Sequence, residues 1–532
     1  MFRRFTLATL AFATFTFAQT PCEKLADLKL PHVTINSAQV VPAGPVGGGA
    51  RPTQAPERCV VKAVAHPTSD SDIGFEVWMP VGAAWNGRYQ QVGNGGWAGA
   101  IPAPSLAAAT QRGYATAGTD DGHSSSATPG ASWAIGHPEK LIDFGWRAVH
   151  QTSVQAKAIL HAFYGRDAAH NYFFGCSDGG REALQEAERF PEDFEGIIAG
   201  APASDWSHLL ASAVWNEQAI LKTPASAIPV EKLPAIQKAN LDACDAADGV
   251  KDGLIENPRA CKFDPAVLTC KGADGPDCLT AAQVETLRAI HGGPKNPRTG
   301  KQISAGWPPA GTQNVPGSWT VWIVGNPPER VAQFMFGNTY FGQAVYEDPQ
   351  WDFRKLNFDD DVAYSDLKGG SALNSSNPDL RSFRDHGGKL IQYHGWGDGA
   401  ISPLSSEEFY DKVLAFMSKV PDPRNTKNVA VPDFYRLFMV PGMGHCAGGL
   451  GPNSFGNGGM APVADADHDI VMALERWVEK GVAPEKIIGT GHPVNDAAKT
   501  MTRPLCPYPK IAKYNGSGDT NDASSFSCAA PN

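Results

Sequence analysis

The sequence lacks basic clusters and carries few charges for its length. Of its 532 residues only 19% are charged, and the formal net charge is −10. Proteins that bind nucleic acid or anionic membranes by electrostatic attraction carry basic runs or a positive net charge. The composition therefore argues against both as the main partner. Glycine and proline, at 56 and 42 residues, predict a fold rich in loops.

An apolar segment long enough to cross a bilayer is also missing from the sequence. The apolar run at 5–17 is shorter than the roughly 20 residues that a spanning helix needs. It follows the basic pair Arg3 and Arg4, and this order is typical of an export signal. We therefore predict that residues 1–18 are a signal peptide and that the protein is secreted or periplasmic.

No two cysteines form a C-x-x-C pair, which makes a structural zinc site improbable. The cysteines are spread along the chain, and their number is even. In an oxidising compartment an even number of cysteines predicts a disulfide framework. We expect five disulfides among Cys22, Cys59, Cys176, Cys244, Cys261, Cys270, Cys278, Cys446, Cys506 and Cys528.

A glycine-rich turn at 175–179 predicts a nucleophilic serine. Its sequence, Gly-Cys-Ser-Asp-Gly, fits the G-x-S-x-G pattern, which places a serine at the apex of a sharp turn between a strand and a helix. The residues at 171–174 are strand-like, and apolar residues after the turn recur at helical spacing. This setting favours Ser177 as a nucleophile over the alternative, a glycine-rich turn with an incidental serine.

Two later loops offer the carboxylate and the base that a nucleophilic serine needs. Asp398 and His445 each follow an apolar run of strand character, and the order Ser, Asp, His is that of α/β-hydrolases. A turn-forming aspartate and a solvated loop histidine are the alternatives. We interpret His123 and His394 as structural polar groups, because His394 lies too near Asp398 in sequence to be its partner.

The proposed nucleophile and the proposed base each have a cysteine as a neighbour in the sequence. Cys176 precedes Ser177, and Cys446 follows His445. If Ser177 and His445 lie within hydrogen-bond reach, their neighbours come within the roughly 7 Å between Cα atoms that a disulfide permits. We therefore predict a Cys176–Cys446 disulfide, with two buried free cysteines as the alternative.

Taken together, these motifs resemble those of the tannase and feruloyl esterase family, which includes the hydrolase of mono(2-hydroxyethyl) terephthalate. The resemblance implies a secreted serine esterase with an α/β-hydrolase fold that cleaves aromatic carboxylic esters. The matching segments are Gly-Cys-Ser-Asp-Gly-Gly-Arg at 175–181, Tyr-His-Gly-Trp-Gly-Asp at 393–398, Pro-Gly-Met-Gly-His-Cys at 441–446, Trp-Asn-Gly-Arg at 85–88, Thr-Asp-Asp-Gly-His at 119–123 and Arg-Pro-Leu-Cys-Pro-Tyr-Pro at 503–509.

The resemblance also implies a domain plan and an oxyanion site. Residues 19–203 and 377–532 are expected to form the catalytic domain, and 204–376 an inserted lid domain. Backbone N–H groups must stabilise the oxyanion of the reaction. One is expected from Asp178, the residue after the nucleophile, and the family's second donor aligns with Gly96, whose glycine-rich stretch is otherwise a simple turn.

Clustered aspartates in the lid resemble the family's calcium loop. Asp245, Asp248 and Asp252 lie among glycines between two cysteines, and hard oxygen ligands of this kind suit Ca²⁺. The resemblance implies further ligation by the backbone carbonyls of Val250 and Leu254. We expect a structural calcium ion, with a charged surface turn as the alternative.

Aromatic side chains of the lid are expected to set specificity, although core packing would explain each of them equally well. Trp322 aligns with a lid tryptophan of the terephthalate monoester hydrolase, and Arg330 is a nearby candidate for that enzyme's carboxylate-binding arginine. Candidates for the wall of an aromatic pocket are Trp319, Trp322, Phe334, Phe336 and Phe341.

The expected substrate is a small aromatic ester. The segment 398–403 is more similar to feruloyl esterases and tannases than to the terephthalate enzyme, so we predict hydrolysis of feruloyl, other hydroxycinnamoyl or galloyl esters through an acyl-enzyme. The alternatives are terephthalate monoester hydrolysis, a serine peptidase, and a non-catalytic secreted protein that binds calcium on the same scaffold.

Overall fold

A nine-stranded mixed sheet forms the centre of the computed structural model, which describes residues 20–47, 52–124, 130–419 and 429–531. The predicted signal peptide, residues 1–18, lies outside the described residues. Within those ranges, none of the helices has both the length and the apolar character needed to cross a membrane. The strands of the described residues are β1 (Val33–Val41), β2 (Gly44–Val46), β3 (Thr53–Ala55), β4 (Arg58–Ala65), β5 (Ile73–Pro80), β6 (Tyr89–Val92), β7 (Ala115–Thr119), β8 (Asn171–Cys176), β9 (Gly196–Gly200), β10 (Lys389–Gly395), β11 (Tyr435–Val440), β12 (Gly451–Ser454), β13 (Ile487–His492), β14 (Met501–Leu505), β15 (Ile511–Tyr514) and β16 (Phe526–Ala529).

Helices cover both faces of the sheet and fill the long connection between β9 and β10. That connection holds eight of them, from the fifth to the twelfth in chain order. The helices of the described residues are α1 (Ala103–Gln111), α2 (Pro138–Ile142), α3 (Ala148–Tyr164), α4 (Asp178–Arg189), α5 (Trp206–Ile220), α6 (Leu233–Cys244), α7 (Ala281–Gly292), α8 (Trp319–Trp322), α9 (Ala332–Thr339), α10 (Asp360–Ser365), α11 (Ser371–Leu373), α12 (Arg381–Asp385), α13 (Leu404–Lys419) and α14 (Ile470–Lys480).

The order of strands confirms the predicted α/β-hydrolase fold. Across the central sheet the strands run β1-β4-β5-β7-β6-β8-β9-β10-β11. The pairs from β1 to β7 are antiparallel, and every pair from β7 to β11 is parallel. Parallel strands end at the same edge of a sheet. The loops after β8, β10 and β11 therefore meet at one edge.

Two apolar cores lie on opposite faces of the central sheet. In β9, Ile197 packs with Leu184 of α4 in one buried cluster, while Ile198 packs with Leu474 of α14 in the other. Successive side chains of a strand point to opposite faces, so strands buried on both sides are apolar throughout. This double burial makes the sheet a rigid base for the loops at its edge.

The segment between β9 and β10 has its own apolar cluster. Ile236, Leu287 and Phe334 are among its fully buried members. A further cluster joins this segment to the sheet domain by packing Trp206 against Phe144. An inserted helical layer with its own core fits the expected lid, and the proposed boundaries at 204 and 376 stay predictions.

All ten cysteines are paired in the structure, which confirms the five predicted disulfides. Their Cα atoms are 4.9 to 5.9 Å apart, within the usual range for a disulfide. The bridges are Cys22–Cys59, Cys176–Cys446, Cys244–Cys261, Cys270–Cys278 and Cys506–Cys528.

Candidate active site

Ser177 occupies the turn between β8 and α4 in an unusual backbone conformation. Its φ angle is +67°, in the left-handed region that residues other than glycine rarely adopt. The turn is also tight, because a Cβ added to Gly175 would lie 2.2 Å from the carbonyl oxygen of Gly179. This geometry is that of the G-x-S-x-G turn, which exposes the serine oxygen at its apex.

Ser177, His445 and Asp398 form a continuous chain of hydrogen bonds. Ser177 Oγ donates to His445 Nε2 over 2.9 Å, and His445 Nδ1 donates to Asp398 Oδ2 over 2.8 Å. The Asp398 side chain is fully buried, whereas the His445 side chain is 15% exposed. The structure thus brings together the three residues predicted from the motifs, with the imidazole accessible and the carboxylate shielded from water.

Asp398 accepts hydrogen bonds at both carboxylate oxygens. The backbone N–H groups of Ala400 and Ile401 donate to Oδ1 over 2.8 and 3.0 Å. Burial by itself would raise the pKa of Asp398, but the charge of His445, together with hydrogen bonds from His394 and His445, holds that pKa well below its ordinary value. The Asp398 carboxylate is therefore ionised throughout the neutral range.

His394 contacts Asp398 directly, so our argument that it lies too near in sequence to be a partner is wrong. The chain turns back after β10, and His394 Nε2 comes within 3.1 Å of Asp398 Oδ2. Ser406 Oγ accepts an N–H of Gln392 over 2.6 Å. The hydroxyl hydrogen of Ser406 is then directed to His394 Nδ1, which lies 2.7 Å from the same oxygen. His394 then carries its proton on Nε2 and donates it to Asp398.

His123 makes no such contact and bonds elsewhere. Its Nε2 lies 2.6 Å from the carbonyl oxygen of Trp97, and its ring stacks on Trp133 with centroids 3.9 Å apart. Burial lowers the pKa of His123 to about 4, although hydrogen bonds to backbone carbonyls oppose this. These contacts fit the interpretation of His123 as a structural polar group.

The Cys176–Cys446 disulfide links the two residues that adjoin Ser177 and His445. Its Cα atoms are 5.9 Å apart, and the bridge spans 270 positions of the sequence. Cross-links that close long segments restrict the unfolded chain most strongly. The bridge ties the nucleophile turn to the histidine loop, as the adjacency of the cysteines predicts.

A cavity of about 420 Å³ is lined by Ser177 and His445. Most of its remaining wall is apolar. The ring centroid of Trp322 lies 5.3 Å from that of His445 and 6.3 Å from that of Phe336. Apolar cavities with a few precisely placed polar groups are typical of sites for small molecules.

Only two of the five aromatic lid residues that we considered line this cavity, Trp322 and Phe336. Trp319 and Phe334 are buried in the apolar cluster of the inserted segment. Phe341 is buried in the cluster that joins the insertion to the sheet domain. Core packing accounts for these three, as the alternative interpretation holds.

Arg330 is exposed and does not line the cavity. The structure therefore does not bring the candidate carboxylate-binding arginine to Ser177. Among the described residues that line the cavity there is no lysine or arginine, and its ionisable side chains are those of Asp178 and His445. The part of the wall that the structure describes therefore offers no lysine or arginine to pair with an anionic acyl group.

Helix α5 supplies part of the wall that the sequence analysis did not identify. Trp206, Leu209, Leu210 and Ala213 line the cavity. Their spacing of i, i+3, i+4 and i+7 places them on one face of the helix. The spacing indicates a buried helix face, but it does not reveal which cavity that face adjoins.

Both predicted oxyanion donors, Asp178 and Gly96, line the cavity beside Ser177. Asp178 is the first residue of α4, where backbone N–H groups have no partner within the helix. Gly96 follows Asn94 in the loop after β6, and the Asn94 carbonyl accepts the Gly179 N–H over 3.0 Å. The two backbone segments thus meet at the nucleophile turn, and the oxyanion role of their N–H groups stays a prediction.

The five predicted calcium-binding residues belong to one turn after α6. Asp248 Oδ1 accepts the N–H of Val250 over 2.9 Å, and Asp252 Oδ1 accepts that of Leu254 over 3.2 Å. Asp245 Oδ1 accepts the Asp252 N–H over 3.2 Å. The three carboxylates do not all come within 4.8 Å of one another.

The Asp248 carboxyl group gives the clearest fit to a cation in this turn. Its Oδ2 is buried and has no hydrogen-bond partner, and burial, together with repulsion from Asp252 and Asp245, raises the pKa of Asp248 to about 6 against the hydrogen bond from Val250. Arg503 donates to Asp252 Oδ2 over 2.7 Å, so that carboxylate is already paired. Carboxylate oxygens are donors of the kind that a hard cation takes, and Asp248 Oδ2 is free to act as one.

Comparisons with known proteins agree with this geometry. The family model described as tannase and feruloyl esterase matches residues 59–529. An uncharacterized esterase of Xanthomonas campestris pv. campestris is 43% identical over 98% of this chain and 94% of its own. A mono(2-hydroxyethyl) terephthalate hydrolase of Piscinibacter sakaiensis is 33% identical over 97% of this chain and 92% of its own. The crystal structure of feruloyl esterase B from Aspergillus oryzae gives a TM-score of 0.84 at 27% identity, covering 96% of this chain and 99% of that chain.

The His394 contact predicts a defined effect of substitution. His394→Ala removes one donor from Asp398 and lets the carboxylate shift, so kcat should fall about ten- to a hundredfold with little change in KM. The pKa of Asp398 should rise toward its ordinary value. Stability that depends on an ionised Asp398 is lost as pH falls through the folded-state pKa, so acid unfolding should move to higher pH.

The measurements are the pH profile of ester hydrolysis and acid unfolding followed by circular dichroism. His386→Ala, which removes an exposed histidine, is the matched control and should change neither. If His394→Ala keeps the wild-type kcat and the wild-type acid transition, His394 does not position Asp398.

Proposed function

Because the chain belongs to the tannase and feruloyl esterase family of carboxylic ester hydrolases, we propose that it cleaves hydroxycinnamoyl esters such as feruloyl esters through an acyl-enzyme on Ser177. The hydrogen-bond chain from Ser177 through His445 to Asp398 carries this proposal. A non-catalytic calcium-binding protein would have no need of that chain. The expected products are an aromatic acid and an alcohol.

In this mechanism Ser177 Oγ attacks the ester carbonyl while His445 Nε2 takes its proton. Asp398 holds the imidazole in the tautomer that accepts at Nε2. The tetrahedral oxyanion is stabilised by the backbone N–H groups of Asp178 and Gly96. His445 returns the proton to the leaving alcohol, and a water molecule activated by the same histidine then releases the acid.

The polar groups of the cavity favour a sparsely hydroxylated ring. Gln333 Nε2 donates to the carbonyl oxygen of Gly399 over 2.9 Å, and its Oε1 accepts from Asn216 over 2.9 Å. Asn94 Nδ2 donates to the Thr119 carbonyl over 3.0 Å. Both amide side chains are therefore already bonded within the protein, which supports hydroxycinnamoyl rings over the trihydroxylated galloyl ring.

An extracellular or periplasmic location is part of the proposal. Five disulfides pair every cysteine of the chain, and such bridges persist in oxidising compartments. The apolar run at 5–17, which follows two arginines, supports export through a signal peptide.

A structural calcium ion in the lid is also proposed. Its ligands would be the carboxylates of Asp245, Asp248 and Asp252, with the carbonyl oxygens of Val250 and Leu254. When bound, the ion would supply positive charge that offsets the repulsion among these carboxylates. The buried Asp248 oxygen that has no hydrogen-bond partner supports this assignment.

Substrate choice tests the proposed specificity. The kcat/KM for methyl ferulate should exceed that for mono(2-hydroxyethyl) terephthalate by at least about tenfold, because the terephthalate carboxylate would be buried without a cationic partner. Methyl gallate should be hydrolysed less efficiently than methyl ferulate. Initial rates measured side by side at neutral pH provide the comparison.

Two variants make this comparison decisive. Ser177→Ala should abolish turnover of all three esters while the melting temperature stays near that of the wild type. Arg330→Ala should leave the ratio of the two kcat/KM values unchanged, because Arg330 lies outside the cavity. A preference for the terephthalate ester that Arg330→Ala removes would contradict the proposed specificity.

Removal of the metal tests the proposed calcium site. If calcium binds the folded lid, its removal by a chelator should lower the melting temperature, since a ligand present at about 100 times its Kd stabilises the folded state by about 2.7 kcal/mol. Asp248→Asn should weaken this calcium-dependent shift. Asp242→Asn, which changes an exposed aspartate on α6, is the matched control and should retain it.

Differential scanning fluorimetry and elemental analysis of the purified protein provide the measurements. Protein that contains no calcium, and that melts at the same temperature with and without chelator, would show that the aspartate turn is only a polar loop.

A further inference from the structure

Three buried carboxyl groups form a cluster beneath the nucleophile turn. Asp121 follows β7, and Asp178 and Glu182 lie on the first two turns of α4. One oxygen from each group lies within 4.8 Å of the other two, and none of the residues is more than 1% exposed. Solvent therefore does not screen their mutual repulsion.

Arg181 neutralises only part of this cluster. Its Nε donates to Asp178 Oδ1 over 2.7 Å, and its terminal nitrogens donate to the carbonyl oxygens of Gly145 and Phe144 over 2.5 and 2.9 Å. One guanidinium group thus faces three carboxyl groups. Two further negative charges side by side in a buried site cannot both persist, so at least one carboxyl group must be protonated.

The pattern of hydrogen bonds favours Asp121 as the residue that carries this proton. Neither carboxyl oxygen of Asp121 has a hydrogen-bond donor among the described residues, whereas Glu182 and Asp178 each have one oxygen without a donor, Oε1 and Oδ2. A buried acceptor without a donor is costly. A proton between Asp121 and Glu182 would supply the missing donor to both side chains.

Burial and neighbouring charges also favour a proton on Asp121. Burial raises the pKa of Asp121 well above its ordinary value, and the neighbouring Glu182 and Asp178 raise it further, whereas Arg181 opposes the shift. Burial and the neighbouring carboxyl groups therefore both favour the protonated form of Asp121.

Glu182 connects this cluster to the loop that carries Gly96. Its Oε2 accepts the backbone N–H of Asn94 over 3.0 Å. The approach is close, because a Cβ added to Gly93 would lie 2.6 Å from Glu182 Oε2 and 2.7 Å from the Cα of Gly179. A shift of the Glu182 carboxyl group must therefore move the loop relative to the nucleophile turn.

We propose that Asp121 and Glu182 share one proton, and that this carboxyl pair is a positioning element that fixes the glycine-rich loop at 93–96 against the nucleophile turn. When the pair loses its proton, two carboxylates repel each other and the loop shifts. The effect on rate rests on the proposed oxyanion role of Gly96, whereas the shared proton does not.

Other titratable and charged groups surround the pair. Asp120 accepts the N–H groups of Gly74 and Gly122 over 3.0 and 2.9 Å, so its carboxylate is directed to the backbone. The remaining groups on the elements packed against the pair are Asp178, Arg181 and Glu186 of α4, His123 of the same turn, and Asp143 and Arg147 of the segment beside Gly122.

The proposal predicts that activity falls at alkaline pH because this pair loses its proton. Wild-type kcat should fall as pH rises through the raised pKa of Asp121. Asp121→Ala should lower kcat about a hundredfold at neutral pH, as expected for a misplacement of about 1 Å. Asp121→Asn, whose amide N–H takes the place of the shared proton, should lose less and should lack the alkaline fall.

The substrate for this test is methyl 3,4-dimethoxycinnamate, which has no ionisable phenol to produce its own pH dependence. Glu186→Gln neutralises another buried carboxyl group on α4 and is the matched control, which should keep the alkaline fall. Glu182→Gln is a second probe if Asp121→Asn does not fold, because its amide donates to Asp121 while its oxygen still accepts from Asn94.

Infrared spectroscopy tests the shared proton without reference to activity. At a pH where ordinary carboxyl groups are ionised, the wild type should show more protonated carboxyl C=O absorption than Asp121→Asn, because other buried carboxyl groups such as Glu217 and Glu256 contribute equally in both proteins. An inactive wild type that shows this additional absorption would overturn the proposed function but not the shared proton. If the absorption is the same in both proteins, or if Asp121→Asn keeps the wild-type alkaline fall, the proposal is wrong.

Discussion

The close approach of backbone segments around Ser177 is the constraint on which the rest of the site depends. Ser177 holds a left-handed backbone conformation, which costs about 1–3 kcal/mol for a residue other than glycine. Contacts on both sides maintain it: the Ser177 N–H donates to the Gly200 carbonyl over 2.9 Å, and its carbonyl accepts the Ala203 N–H over 3.0 Å. A side chain at 175 or 179 would clash with neighbouring backbone atoms. The close packing of these backbone segments therefore holds the strained turn in place.

A disulfide and several hydrogen bonds hold His445 beside the Ser177 turn. The Cys176–Cys446 disulfide fixes the distance between the two loops. Hydrogen bonds to Asp398 from His394 and from two backbone N–H groups fix the carboxylate that orients His445. Such supporting contacts hold Ser177, Asp398 and His445 at a fixed spacing, although each lies in a loop after a different strand.

The sequence was sufficient to predict the sheet-edge residues, because Ser177, Asp398 and His445 each follow a strand within a short motif. It was insufficient where contacts depend on how the chain turns. His394 meets Asp398 because the loop after β10 folds back, and sequence separation alone gave the wrong answer. Arg330 shows the same limit, since its position near Trp322 in sequence did not place it in the cavity. The wall formed by α5 depends on packing between distant segments.

The central claim is that Ser177 is an activated nucleophile. A fluorophosphonate probe followed by peptide mass spectrometry tests it most directly, because only an activated serine reacts readily. The account predicts one adduct, on Ser177, and its near absence in His445→Ala, where no base takes the proton. Labelling of another residue, or an unlabelled Ser177 in protein that still hydrolyses esters, would contradict it.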